Sequence, residues 1–127
     1  MDITNIPCNS NSIDVIICNH VLEHVLDDIR AMEELFRVLK FGGWAILDVP
    51  LDNRRENTFE DPSITSWEQR EKVFGQGDHV RIYGLDYKKR LENTGFVVKL
   101  IPFWQEIDSK TMKQYCISKE DIIFCKK

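Results

Sequence analysis

Apolar residues occur along this chain in short runs separated by polar stretches, and their period changes from run to run. Asp14 to Asn19 (DVIICN) is β-branched and almost continuously apolar, the pattern expected of a parallel strand covered on both faces. The period then lengthens. Asp27 and Asp28 place an N-cap and negative charge where a helix dipole is positive, and Ile29, Met32, Leu35, Phe36 and Leu39 recur at helical spacing. Arg37 and Lys40 complement the opposite end, and Gly42 and Gly43 read as the left-handed stop of that helix. Trp44 to Val49 (WAILDV) resumes a strand that Pro50 ends, completing a βαβ unit for which a right-handed crossover is expected.

From Leu51 to Tyr83 the chain turns polar and mixed, and its best helical stretch is Ser66 to Val73. Insertions of this length are usually functional or mobile. Asp86 can cap a short helix in which Tyr87 and Leu91 share a face, and Gly95 closes it before a strand from Phe96 to Phe103. After a polar connection from Gln105 to Lys113, Tyr115 to Ile117 and Asp121 to Cys125 read as strand, and the lack of a strong helix before them favours an antiparallel return. The order predicts an α/β fold with a mostly parallel sheet and an antiparallel last strand.

Length and charge narrow the function classes. A chain of 127 residues, 43% hydrophobic and 30% charged, has the composition of one globular domain. Its net charge of −4 argues against a phosphate backbone as partner, so no nucleic acid is expected. No apolar run reaches the length of about 18 residues that a bilayer requires, and the start, Met1 to Asn5, carries an acid where a signal peptide is basic. The expectation is a cytoplasmic protein with no membrane partner. Cys8, Cys18, Cys116 and Cys125 form no CxxC pair and have no histidine at zinc-like spacing. They read as reduced thiols, mostly core filler, and no metal site is expected.

Three segments carry a resemblance: IDVIICNHVLEHVLDD at Ile13 to Asp28, ELFRVLKFGGWAILDVP at Glu34 to Pro50, and LENTGF at Leu91 to Phe96. At this spacing the chain resembles the methyltransferase type 11 family, within the class I S-adenosylmethionine-dependent methyltransferases, a resemblance that makes the expected α/β fold Rossmann-like. The resemblance implies transfer of a methyl group from S-adenosyl-L-methionine to a small-molecule acceptor. It also implies a seven-stranded family sheet of which Asp14 to Asn19 is the fourth strand, so that the chain covers the fourth strand to the C-terminus as a truncated domain, with Leu51 to Tyr83 as a substrate-side insertion. The family's glycine-rich turn and ribose-binding acid then have no counterpart. This predicts weak or absent cofactor binding and an inactive isolated chain. A non-catalytic remnant or interaction module of the same fold is the alternative, whereas the absence of GxGxxG argues against a nicotinamide-dependent oxidoreductase.

By the same resemblance, Asp2 and Ile3 fall where the family holds the adenine, and Asn19, His20 and Val21 where it faces the methionine part. Each has a plainer reading: a frayed terminus for Asp2 and Ile3, and satisfied turn groups for Asn19. FGQGDHVRIYG, at Phe74 to Gly84, concentrates Gln76, Asp78, His79, Arg81 and Tyr83 between glycines. These side chains suit acid–base work and carboxylate pairing near the substrate, or else tie the loop to the sheet. His79 is the first candidate for a base and His24 the second, with packing and donation to a backbone carbonyl as the other role for His24. Asp48, a carboxylate inside an apolar strand, is read as surface-exposed. Finally, Ile13 to Cys18 is expected to form an open sheet edge, and an apolar edge predicts a homodimer paired through it.

Overall fold

A computed structural model describes residues 1–127. The first apolar run forms β1 (Ile13–Ile17) and the first helical stretch forms α1 (Asp28–Val38). Asp27 caps this helix, its carboxylate accepting from the Arg30 N–H at 3.0 Å, and Ala31, Met32, Leu35 and Val38 are buried along one stripe. The far end is satisfied by the last residue of the chain. Lys127 Nζ donates to the carbonyls of Phe36 at 2.7 Å and Arg37 at 3.3 Å.

The helix passes directly into β2 (Leu39–Ile46), because Leu39 is already extended, at φ −67° and ψ 134°. Gly42 and Gly43 therefore do not stop the helix as expected. They lie in a bulge of β2, where Ile13 pairs with Leu39 and Val15 with Trp44, so a short step along β1 faces a long one along β2. Gly42 takes a left-handed φ of 78°, and a Cβ on Gly43 would stand 2.8 Å from the Asp14 carbonyl oxygen.

Beyond β2 come β3 (Phe59–Glu60), α2 (Trp67–Phe74) and β4 (Arg81–Ile82), then α3 (Tyr87–Asn93), β5 (Val97–Ile101), α4 (Ser109–Gln114) and β6 (Ile122–Lys126). Ser66 and Gln69 close a reciprocal capping box at the start of α2. Two sequence expectations change here. Asp86 precedes α3 but does not cap it; its carboxylate accepts from the Thr58 N–H and hydroxyl, both at 2.7 Å, and pins the insertion. Tyr115 to Ile117 is not strand, because Asp108 caps α4 through the Lys110 and Thr111 N–H groups at 3.0 Å, and the chain then turns at Cys116 with φ 52°.

The main sheet has the order β1-β2-β6-β5, with β1 parallel to β2 and β6 antiparallel to both neighbours. β3 and β4 form a separate two-stranded ribbon. Register divides the sheet into two faces. Ile16, Ala45, Cys125 and Val98 align across the strands and join the cluster that includes Met32, Leu35, Tyr87 and Leu91. Ile17, Ile46 and Phe124 align on the other face, beside Val15 and Trp44, where Val15 is 42% and Ile17 67% exposed. β1 is thus covered on one face only, not on both.

Candidate functional site

The turn after β1 stays registered with the end of β2: Cys18 N–H donates to the Ile46 carbonyl and His20 N–H to the Asp48 carbonyl, both at 2.9 Å. His20 has a left-handed φ of 52°, which swings the chain off the sheet into a 3-10 turn at Leu22–His24. A cavity of about 430 Å³ opens at this carboxyl end of the parallel strands, the position where open α/β sheets hold ligands. His20, Asp48 and Tyr87 line one side, and Leu100, Trp104 and Asp121 belong to its later-sequence wall. Trp104 is fixed there by its indole N–H, which donates to Asp121 Oδ1 at 3.0 Å.

Asp48 is half-buried in this wall rather than surface-exposed, and it accepts from the Ile123 N–H at 2.8 Å. Burial raises its carboxyl above the ordinary range, against the lowering effect of that hydrogen bond. The cavity therefore combines apolar surface with a half-buried carboxylate and an exposed imidazole. Neither Asp48 nor the wall beyond Leu100 was singled out from sequence as part of a site. A carboxylate within the apolar WAILDV run was the available signal for Asp48.

The insertion packs against the Leu22–His24 turn. Arg81, 2% exposed, donates to the carbonyls of Leu22 at 2.8 Å, Leu26 at 2.9 Å and Val25, and pairs with Glu60 at 3.0 Å. Tyr83 is fully buried and its hydroxyl donates to Asp28 Oδ2 at 2.7 Å, the same oxygen that takes Arg90 Nη1 at 2.6 Å. Every polar group of Arg81 and Tyr83 is thus committed inward, and these two side chains strap the insertion to the turn. Gln76 and Asp78 remain exposed, with the Gln76 carbonyl accepting from His79 N–H at 3.2 Å.

The histidines do come together. His24 and His79 meet edge to face with ring centroids 4.7 Å apart, and His24 Nδ1 lies 3.2 Å from the Asp78 carbonyl oxygen. Burial first, and His24 second, lower the pKa of His79, which favours a neutral ring. Against them lies Glu23, 2% exposed, with no hydrogen-bond partner for either carboxylate oxygen. Among the expected cofactor contacts only His20 lines the cavity. Ile3 and Val21 pack on the core, Asn19 is exposed, and Asp2 accepts from the Thr4 N–H at 2.9 Å and hydroxyl at 2.7 Å.

A family model described as a methyltransferase domain matches residues 1–47. Among solved structures, an S-adenosylmethionine-dependent methyltransferase from Mesorhizobium loti superposes with a TM-score of 0.60 at 12% identity, over 100% of this chain and 67% of that one. Another from Archaeoglobus fulgidus gives a TM-score of 0.55 at 14% identity, over 94% and 62%. The cyclase SpnF gives 0.63 at 15% identity, over 100% and 55%. No curated protein sequence matches the chain. The fold is the Rossmann-like fold of the class I S-adenosylmethionine-dependent methyltransferases, and in its first 47 residues the chain resembles their type 11 family. The chain spans between 55% and 67% of the length of these three structures. No helix is long and apolar enough to cross a membrane.

Proposed function

We propose that this domain serves methyl transfer from S-adenosyl-L-methionine to a small-molecule acceptor, at the cavity on the carboxyl edge of the sheet. The observation that carries the reading is the position of that cavity: it lies where the turn at Asn19 to Val21, the cofactor-facing turn by resemblance, leaves β1, and His20 forms part of its wall. Transfer from a sulfonium to a nucleophile rests on alignment in a dry site, with a base only where the acceptor must lose a proton. His79, His24, Gln76 and Asp78 do not line that cavity. His79 and His24, grouped with the Glu23 carboxylate that His20 adjoins, are the proposed bases, and Gln76 and Asp78 the exposed groups for acceptor contact. Asp2 and Ile3 reach the cofactor only if the first residues move from their present contacts. With one of the five expected cofactor residues in the cavity wall, binding by this chain alone is expected to be weak. The alternative is a non-catalytic remnant or interaction module of the same fold, since a fold does not fix an activity.

Saturation-transfer NMR with S-adenosyl-L-methionine and its demethylated product tests the proposal. One site with a Kd between about 0.1 and 1 mM, weakened by His20→Ala, is the expected result. No transfer from either compound at about 2 mM overturns it and leaves the non-catalytic module.

A further inference from the structure

Glu23 presents the least satisfied polar group of the molecule. Its two carboxylate oxygens are the buried side-chain polar atoms without a hydrogen bond, in a residue 2% exposed. A buried carboxylate is tolerated only beside a compensating charge or donor. The nearest candidates are imidazole nitrogens at distances too long for good hydrogen bonds: His20 Nδ1 at 3.5 Å and His24 Nε2 at 3.8 Å from Oε1.

We propose that Glu23, His24 and His79 form a binding site for a divalent transition-metal ion of the zinc type. One ligand atom from each of the three lies within 4.8 Å of the others. Donors bonded tetrahedrally to a common ion at about 2.0–2.2 Å stand about 3.3–3.6 Å apart, so side-chain rotations that draw the ligand atoms in by about 1 Å close the set. Two imidazoles and a carboxylate suit zinc, cobalt or iron(II) rather than calcium or magnesium, which favour oxygen ligands throughout.

The surroundings supply what such a site requires beyond its ligands. His24 Nδ1 faces the Asp78 carbonyl at 3.2 Å and Asp78 Oδ2 at 3.3 Å, both of which only accept. The proton is thereby placed on Nδ1 and the lone pair on Nε2, the nitrogen turned toward Glu23. Val80 N–H donates to the Glu23 carbonyl at 2.9 Å, which locks the segment carrying His79, just before β4, to the turn carrying Glu23 and His24. The Arg81 strap holds the same turn from the other side. His20 stands beside the Glu23 carboxylate and also lines the cavity, so the cluster adjoins the proposed reaction site. A metal held there would occupy the two histidines proposed above as bases, and the two roles therefore exclude each other.

The test is zinc affinity, measured by competition with a chromophoric chelator on protein carrying Cys8→Ser and Cys116→Ser, since those two thiols are exposed. One equivalent with a Kd at or below about 1 µM is expected. Glu23→Gln and His79→Gln should each weaken it at least about 100-fold, and Asp78→Ala by about 10–100-fold through loss of orientation. Because Glu23 and His79 are buried, the partly exposed His24→Gln provides a further variant, with circular dichroism checking that each is folded. Cobalt(II) should show visible ligand-field bands without a thiolate charge-transfer band. Less than one equivalent bound, affinity unchanged in the folded variants, or a thiolate band would each overturn the site.

Discussion

Cys18 and Cys125 lie in the core, and burial pushes their thiols up to about 11 and about 12, with the nearby carboxylates of Glu23 and Asp48 adding to it. Cys8 and Cys116 are exposed. The sequence expectation of mostly core thiols therefore holds for two of the four. Since the thiolate is the nucleophile, Ellman's reagent at about pH 8 should titrate Cys8 and Cys116 in the native protein and reach the other two only after denaturation. Uniform reaction of all four would show that the sheet's core face is open. Asp48 makes the same point about burial: its place in the chain suggested a surface carboxylate, yet β6 supplies the Ile123 N–H that makes a half-buried position tolerable.

The bulge of β2 is the element whose role changed most. Gly42 has a left-handed φ of 78° but open space around its missing Cβ, while Gly43 has no such φ and is confined by the Asp14 carbonyl at 2.8 Å and the Lys40 carbonyl at 3.0 Å. The two glycines should respond differently to substitution. Gly42→Asn is expected to cost less than about 1 kcal/mol, because asparagine accepts the left-handed region. Gly43→Ala is expected to cost about 1–3 kcal/mol, as backbone atoms must shift to admit the methyl group. Urea denaturation of both variants measures this, and equal losses would mean that strain rather than space governs the bulge. The Arg81 strap works at the same scale. It spends its donors on the carbonyls of the Leu22–Leu26 turn, and so decides where Glu23 and His24 sit.

At the scale of the whole molecule, the sheet packs α1 and α3 on one face and leaves Val15, Ile17 and Val97 exposed on the other. β1 is also an edge strand. We propose a two-fold homodimer through Ile13 to Cys18, in which this edge and the adjoining apolar surface cover themselves. The register identifies the side chain to change. Ile16 belongs to the core face, so Ile16→Lys would report on folding, whereas Ile17, 67% exposed, points away from the core. Light scattering at low micromolar concentration should find a dimer for the parent and a monomer for Ile17→Lys. A monomeric parent, or a variant that stays dimeric, excludes this interface.

Much of the fold was legible in the order of residues, because strand and helix periods, the Asp27 cap and the turn at Gly95 are local properties that each segment carries with it. β1, α1, β5, β6 and the antiparallel return follow from them. Local signals failed where a distant partner competed: Gly42 and Gly43 were claimed by pairing with β1 and the chain end, and Asp86 by Thr58. The candidate site divided the same way. His20, His24 and His79 could be named from the chain, but that His24 and His79 touch, that Glu23 is buried against them without a partner, and that Arg81 and Tyr83 are turned inward depended on packing the insertion against the turn after β1. Residue types and their periods are written along the chain, whereas burial, and with it the charge a side chain can keep, depends on contacts between segments more than fifty residues apart.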